Sequence, residues 1–258
     1  MTTSLINLNA DLGESFGAWQ MGDDPALLQI VNSANVACGF HAGDPAIMRD
    51  TVRLALQRGV SIGAHPSYPD LQGFGRRVMQ MSAKDLEATI LYQVGALQAM
   101  AAAEGGRVTH VKPHGALNNL ACADAAVAAT VVRAVQSLDR SLILLAPAHS
   151  ALVQAAEAAG QPVRHEVFAD RAYLDDGQLM PRSQPGAVLH EAPACVDHVL
   201  RMLQAQAIVT ASGQHLPTRI DSICVHGDGP EAVATARAIR EALEQTGYTL
   251  APLDRLPG

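Results

Sequence analysis

The 258-residue chain is short of aromatic side chains, which make up 3% of it, although 48% of its residues are apolar. A core must therefore be assembled mainly from Ala, Val, Leu and Ile, and a chain of this length can bury a sizeable one. Positive charge is scarce as well. Lys and Arg number 18 against 25 Asp and Glu, a net charge of −7, which argues against nucleic acid as a partner because that calls for a basic face. No run approaches the roughly 18 apolar residues of a membrane span. The opening MTTSLINLN lacks the charged and apolar regions of a signal peptide. The four cysteines, Cys38, Cys122, Cys195 and Cys224, are widely scattered, so no disulfide is expected and the cytoplasm is the natural compartment. Three motifs are missing too: a G-x-x-x-x-G-K-[ST] phosphate loop, a G-x-G-x-x-G turn after a strand, and a G-x-S-x-G elbow. Dehydrogenase and serine hydrolase readings lose their main support with them.

What the chain does have is seven short apolar runs: Leu5–Asp11, Asn35–His41, Val60–His65, Val108–His114, Ser141–Pro147, Val163–Asp170 and Ile223–Asp228. All but Ser141–Pro147 end in an acid, a base or histidine. Apolar runs of this length between helix-like segments read as parallel strands buried on both faces. Asp44-Pro45 opens one helix and Gly59 closes it; Ser82 caps another that runs to Glu104. Ala-rich stretches at 123–137 and 148–159, and a segment from Pro230 to Gln245, read as further helices. We expect a single β/α domain over residues 1–258. Segment 171–190, with its YLDDGQLMPRSQPGA, breaks the rhythm as a loop or hairpin over the mouth, and Thr210–Leu216 is a second short excursion. Seven strands can close as a distorted barrel or stay open as a doubly wound sheet, and periodicity does not decide between them.

In β/α folds ligands sit at the carboxyl ends of the strands. Asp11, His41, His65, His114, Asp170 and His226 are therefore the catalytic candidates. Glu14 and Ser15 follow Asp11 on the same loop. Asp11 can equally cap the Gly13 turn, and a lone strand-end histidine is more often structural than catalytic. Asp11, His41 and His65 offer a carboxylate and two imidazoles to a divalent metal, though without a compact ligand spacing. Arg76 and Arg77 follow Gly73 and Gly75, and one of them suits a carboxylate or phosphate clamp; the alternative is a surface pair bonded to Asp70. Lys112 and His114, two apart, would share one side of a strand. A buried Lys112 is either an anion ligand or part of an ion pair with Asp11 or Asp170. Glu166 and Asp170 are four apart and would be same-sided too. Arg171 and Asp228 complete the binding candidates, with the helix after Asp228 offering its N-terminal amides to an anion.

The motifs NLNADLGESFG, ANVACGFHAGDP, IGAHPSYPDLQGFGRR, HVKPHGAL, EVFADRAYLDDG, PRSQPGAV and ICVHGDGPEAV resemble those of the LamB/YcsF family, the A subunits of 5-oxoprolinase, from about Ile6 to the last helix. Asn118 and Gly229 depart from the family's usual residues. The resemblance implies a seven-stranded β/α barrel, a distorted TIM-like fold of the glycoside hydrolase and deacetylase type. It implies ATP-dependent opening of 5-oxo-L-proline to L-glutamate, with ATP as co-substrate, Mg accompanying it, and 5-oxoprolinase subunits B and C as partners. The rivals are a metal-dependent amide hydrolase or carbohydrate deacetylase that needs no ATP, and a non-catalytic small-molecule-binding subunit.

Overall fold

The computed structural model describes residues 4–226 and 231–257; Asp228, Gly229 and Pro230 lie outside them. Among the described residues the strands are β1 (Leu5–Leu12), β2 (Ser33–Ala37), β3 (Ser61–His65), β4 (Val108–Val111), β5 (Ile143–Pro147), β6 (Val163–Phe168), β7 (Ala207–Val209), β8 (His215–Pro217), β9 (Ser222–Val225) and β10 (Thr249–Leu250). Strands β1-β2-β3-β4-β5-β6-β9 pair in parallel in that order. β9 then pairs back onto β1, from Asn7 opposite Ser222 to Ala10 opposite Val225. The sheet is thus a closed seven-stranded parallel barrel, which settles the choice that periodicity left open. β10 lies parallel to the start of β1, and β7 with β8 forms an antiparallel hairpin outside the barrel.

Helices α1 (Asp24–Leu27), α2 (Pro45–Arg58), α3 (Ala83–Ala103), α4 (Gly115–Ala123), α5 (Ala125–Leu138), α6 (Ala151–Ala158), α7 (Ala192–Ala205) and α8 (Ala232–Gln245) surround it. Their starts follow local chemistry. Asp44 accepts from the amides of Ala46 and Ile47, and Ser82 from that of Asp85, satisfying donors that a helix leaves bare at its N-terminus. Asp124 separates α4 from α5 and caps the latter through Ala126 and Val127, so the Ala-rich helix begins past residue 123. Val52, Ile90, Val94, Leu97, Val131 and Ile239 share one apolar core with Leu8, Val36, Ile62 and Leu144 of the strands. Among the described residues no single helix is long and apolar enough to cross a membrane.

The barrel interior departs from the expectation of strands apolar on both faces. Asn7, Asn9, Asn35, His110, Glu166 and Ser222 are all fully buried. Buried away from solvent, they bond to one another, and only Glu166 Oε2 of the set is left without a hydrogen bond. Asn9 donates to Glu166 Oε1 (3.0 Å) and to Ser222 Oγ (2.8 Å), Asn35 donates to Asn9 Oδ1 (2.7 Å), and His110 Nε2 reaches Asn35 Oδ1 (3.0 Å). Burial pushes the His110 imidazole down to about 3, so it sits there neutral.

Candidate active site

A cavity of about 550 Å³ opens at the carboxyl ends of the barrel strands, lined by Asp11, Glu14, His65, Arg76, Lys112, His114, Phe168, Arg171, Arg182 and His226 among others. Two strands deliver their residues later than the sequence suggests. β2 stops at Ala37, and His41 lies beyond it in a turn closed by the Gly39 amide on the Ala42 carbonyl (2.9 Å). β4 stops at Val111. Lys112 and His114 reach the cavity from the turn that leads into α4, not as neighbours on one strand.

On one side of the mouth the imidazoles gather. His41 and His114 stack with ring centroids 3.8 Å apart, and His65 meets His114 edge-on at 4.8 Å. Glu14 Oε1 is 3.2 Å from His41 Nε2 and 3.7 Å from His114 Nδ1. Burial, more than any neighbour, holds His41 and His114 well below the usual histidine value. Two glycines make this crowding possible. A Cβ at Gly75 (φ +62°) would fall 2.3 Å from Ser67 Oγ and 2.8 Å from His41 Cβ, and one at Gly115 (φ +58°) would fall 2.5 Å from the Gly75 carbonyl. Both positions are left-handed, where side chains are strained.

At the floor, Lys112 is 2% exposed. Its ammonium donates to Asp11 Oδ1 (2.9 Å) and lies 3.0 Å from Glu166 Oε1 and 3.1 Å from Cys224 Sγ. Burial works against this charge, but Asp11, Cys224 and Glu166 together raise Lys112 well above its ordinary value. Burial likewise opposes the Asp11 carboxylate, yet His65 and Lys112 hold it well below its ordinary value. Glu166 is the exception: burial raises it in spite of Lys112. Lys112 therefore forms the structural ion pair that was the alternative to an anion ligand, with Asp11 and Glu166 as partners and not Asp170.

Opposite the imidazoles, His226 Nδ1 donates to Asp170 (2.7 Å), and Arg182 Nη2 lies 3.4 Å from His226 Nε2. Burial lowers His226, but the Asp170 carboxylate outweighs it and the net direction is up. Asp170, itself pressed upward by burial, is brought down by His226. Glu166 and Asp170 do not share a side: Glu166 lies inside the barrel, while Asp170 sits past the end of β6.

The basic candidates separate. Arg76 lines the cavity, its guanidinium 4.9 Å from the Phe74 ring centre. Arg77 folds its guanidinium onto Asp70 and leaves its side chain 64% exposed, so the clamp expected of it is spent on a neighbour. Arg171 lines the cavity but donates to the carbonyls of Met180 (2.6 Å) and Ala187 (3.3 Å). It braces segment 171–190, whose residues Gly177 to Arg182 form part of the cavity wall. Asp11, proposed with His41 and His65 as a metal set, touches His65 (3.3 Å) but gives its other oxygen to Lys112 and Asn35. Among the described residues two groups could hold an ion: Glu14, His41, His65 and His114, all buried, and Asp11, Cys224 and His226. Sequence reading passed over Arg182 and the interior set Asn9, Asn35 and His110, and ranked Glu14 below Asp11. The alternation Asn7, Asn9, Asp11 on β1 was the available signal for an inward polar face.

The model of the LamB/YcsF family matches residues 6–257. The chain is 62% identical over 251 residues to the 5-oxoprolinase A subunit of Azoarcus sp., covering 97% of this chain and 98% of that one. It is 54% identical over 248 residues to the 5-oxoprolinase A subunit of Rhodopseudomonas palustris, covering 96% of this chain and 98% of that one. The crystal structure of a lactam utilization protein from Thermus thermophilus superposes with a TM-score of 0.89 at 44% identity, over 95% of this chain and 98% of that one. The catalytic domain of a peptidoglycan N-acetylglucosamine deacetylase from Eubacterium rectale shares the fold alone, with a TM-score of 0.53 at 13% identity over 99% of this chain and 90% of that one. The chain belongs to the LamB/YcsF family.

Proposed function

We propose that this chain is the A subunit of a 5-oxoprolinase that opens 5-oxo-L-proline to L-glutamate at the expense of ATP, acting with partner subunits B and C. The observation that carries the reading is the near full-length identity of 62% to a protein named as a 5-oxoprolinase A subunit, joined to a cavity whose walls offer the needed groups. A five-membered lactam is a poor electrophile with a poor leaving nitrogen. Transfer of a phosphoryl group to the amide oxygen releases ADP and opens the ring carbon to water; expulsion of the nitrogen leaves the side-chain carboxyl as an acyl phosphate, which a second water hydrolyses to glutamate and phosphate. The first water must lose a proton and the departing nitrogen must gain one. His114, with His65 beside it, is the group we assign to the first transfer, and the Asp170–His226 pair to the second, because neutral imidazole suits a base and a carboxylate-supported imidazolium suits an acid. Arg76 is assigned to the carboxylate of oxoproline or to the phosphoryl group, with Arg182 beside His226 as the second cation. Mg enters with ATP. The chain carries no P-loop motif, so ATP either binds here in a non-standard way or is partly held by a partner.

Reconstitution tests this. Glutamate release from oxoproline and ATP is expected from the chain combined with subunits B and C, and little or none from the chain alone. Robust turnover by the isolated chain would overturn the three-subunit reading. The imidazole–carboxylate cluster supports a second reading, an amide hydrolase that needs a metal and no ATP; release of glutamate with a metal ion and without nucleotide would favour it.

A further inference from the structure

The imidazole cluster contains a conflict that its own hydrogen bonds create. His65 Nδ1 lies 2.7 Å from the Lys112 carbonyl, and His114 Nε2 lies 2.9 Å from the Phe74 carbonyl. A carbonyl oxygen only accepts, so both of those ring nitrogens carry hydrogen. With both rings neutral, the remaining nitrogens, His65 Nε2 and His114 Nδ1, present bare lone pairs to each other at 3.0 Å, a conflict that a proton on either ring or a metal ion between them removes. Asp11 Oδ2 adds a third acceptor 3.3 Å from His65 Nε2. Acceptors repel at such distances unless a cation lies between them. Pinning the far nitrogen of each ring on a carbonyl is also how metal-ligating histidines are oriented.

We propose that His65 Nε2, His114 Nδ1 and the Glu14 carboxylate bind a divalent transition-metal ion facially, with its open positions toward the cavity. Nitrogens about 2.1 Å from one ion and 3.0 Å apart subtend about 90° at it, the angle between neighbouring octahedral positions. Glu14 Oε1, 3.7 Å from His114 Nδ1, stands within reach of the same ion. All three residues line the cavity while being less than a tenth exposed. Two imidazoles and a carboxylate suit Zn²⁺, Fe²⁺ or Co²⁺, whereas Mg²⁺ and Ca²⁺ prefer oxygen alone. His41 is a positioning residue. Its ring lies 8° from parallel with that of His114, so its plane passes beside an ion held in the plane of His114. Its Nε2, 3.2 Å from Glu14 Oε1, orients the carboxylate instead. With Nε2 on the Phe74 carbonyl and Nδ1 on the ion, His114 would have no lone pair left to act as a base, so in the metal-loaded chain the ion would take over from His114 the activation of water, as a Lewis acid.

The site rests on geometry alone and is independent of which substrate the cavity takes, so glutamate release and metal uptake fail separately. The full chain, stripped with a chelator, is titrated with Co²⁺ and Zn²⁺ by calorimetry, and Co²⁺ binding is followed through its d–d absorption. One ion per chain is expected, with a saturable rise in Tm and no competition from Mg²⁺. His114→Ala and Glu14→Gln should each weaken binding at least 100-fold. His41→Phe, which keeps the stack, should weaken it by about 10- to 100-fold, the scale for residues that orient a ligand. His149→Ala, an exposed histidine on another loop, should leave it unchanged. If a variant fails to fold, the stoichiometry and d–d spectrum of the unaltered chain still decide. Absence of stoichiometric binding, or binding that survives in folded His114→Ala, overturns the proposal. So does a ¹⁵N spectrum of the metal-free and metal-treated chain showing one proton shared by His65 and His114 in both.

Discussion

Replacing Lys112 with Met removes the one cation set between Asp11 and Glu166 and leaves two carboxylates in a site from which water is excluded. At 2.9 and 3.0 Å, each pair carries about 6 kcal/mol of Coulomb energy at an effective dielectric constant near 20. Not all of this is lost, because a stranded carboxylate can protonate. At pH 7, protonating a group whose ordinary pKa is about 4 costs roughly 4 kcal/mol, at 1.36 kcal/mol per unit. Loss of one partner from a buried pair generally costs about 3–5 kcal/mol, and we expect Lys112→Met to fall in that range at pH 7, or about 6–20 °C in Tm for a chain of this size. The pH dependence is the sharper readout. In the native protein Asp11 is held below its ordinary value, so its contribution is present above the unfolded pKa and is lost as pH falls through the folded one. In Lys112→Met both carboxylates rise above their unfolded values, so the folded state binds more protons and stability falls as pH rises above about 4. Between pH 5 and 7 the native Asp11 is ionised in both states and adds no slope, and only Glu166 of the two is raised, so Lys112→Met should lose stability with rising pH more steeply than the unaltered chain. Urea unfolding followed by circular dichroism across that range measures it. A penalty below about 1 kcal/mol, or parallel slopes, would refute the placement of Lys112 as the counter-charge of the barrel floor.

Three further outcomes are expected. His114→Ala should lower turnover of the reconstituted enzyme by about 100-fold or more, the scale of general acid–base catalysis; near-normal turnover would reduce His114 to a structural role. Arg76→Lys should raise the KM for oxoproline or ATP by about ten- to hundredfold, the cost of a lost charged hydrogen bond, while Arg77→Lys, whose partner is Asp70, should leave KM unchanged; equal effects in steady-state kinetics would contradict the separation of the two. Because Asp170 raises His226, that pair's contribution to stability is full below the unfolded histidine value of about 6.5 and is lost as pH rises through the folded one. Asp170→Asn should abolish this loss in urea titrations and move the corresponding limb of the rate profile to lower pH.

The strand positions were readable because apolar runs between capped helices carry their own punctuation: Asp44, Ser82 and Gly59 act where the sequence places them. The polar interior of the barrel was less visible. Asn7 and Asn9 look like interruptions in an apolar run until β1 closes on β9 and faces them toward Glu166 and Ser222, a partnership between opposite ends of the chain. The same separation hides the role of Lys112, whose partners come from β1, β6 and β9. Arg76 and Arg77 are indistinguishable in sequence, and only the turn that carries Gly75 over His41 sends one to the cavity and the other to Asp70. α7 and β10 went unread, the first because segment 171–190 masked where helical periodicity resumes, the second because two residues are too few to carry a pattern.

The barrel divides proton handling between two walls that share no residue. On one, His41, His65 and His114 crowd together beside Glu14, and burial favours the neutral forms of His41 and His114. On the other, His226 faces Asp170, and the carboxylate favours the charged form. Lys112 lies beneath both and fixes the charge of Asp11, the acid nearest to His65. A cavity with a neutral, lone-pair-bearing wall opposite a proton-bearing one fits a reaction that takes a proton from water and returns one to nitrogen. On the function proposed above, the order of those transfers is water attack from the His114 side and departure of the nitrogen toward His226. Removing the second wall by His226→Ala should spare the first proton transfer and stall ring opening, so that the water adduct expels phosphate and returns to oxoproline, and phosphate release outruns glutamate release in the reconstituted enzyme. Equal loss of both products would place His226 before the ring opens and reverse the assignment.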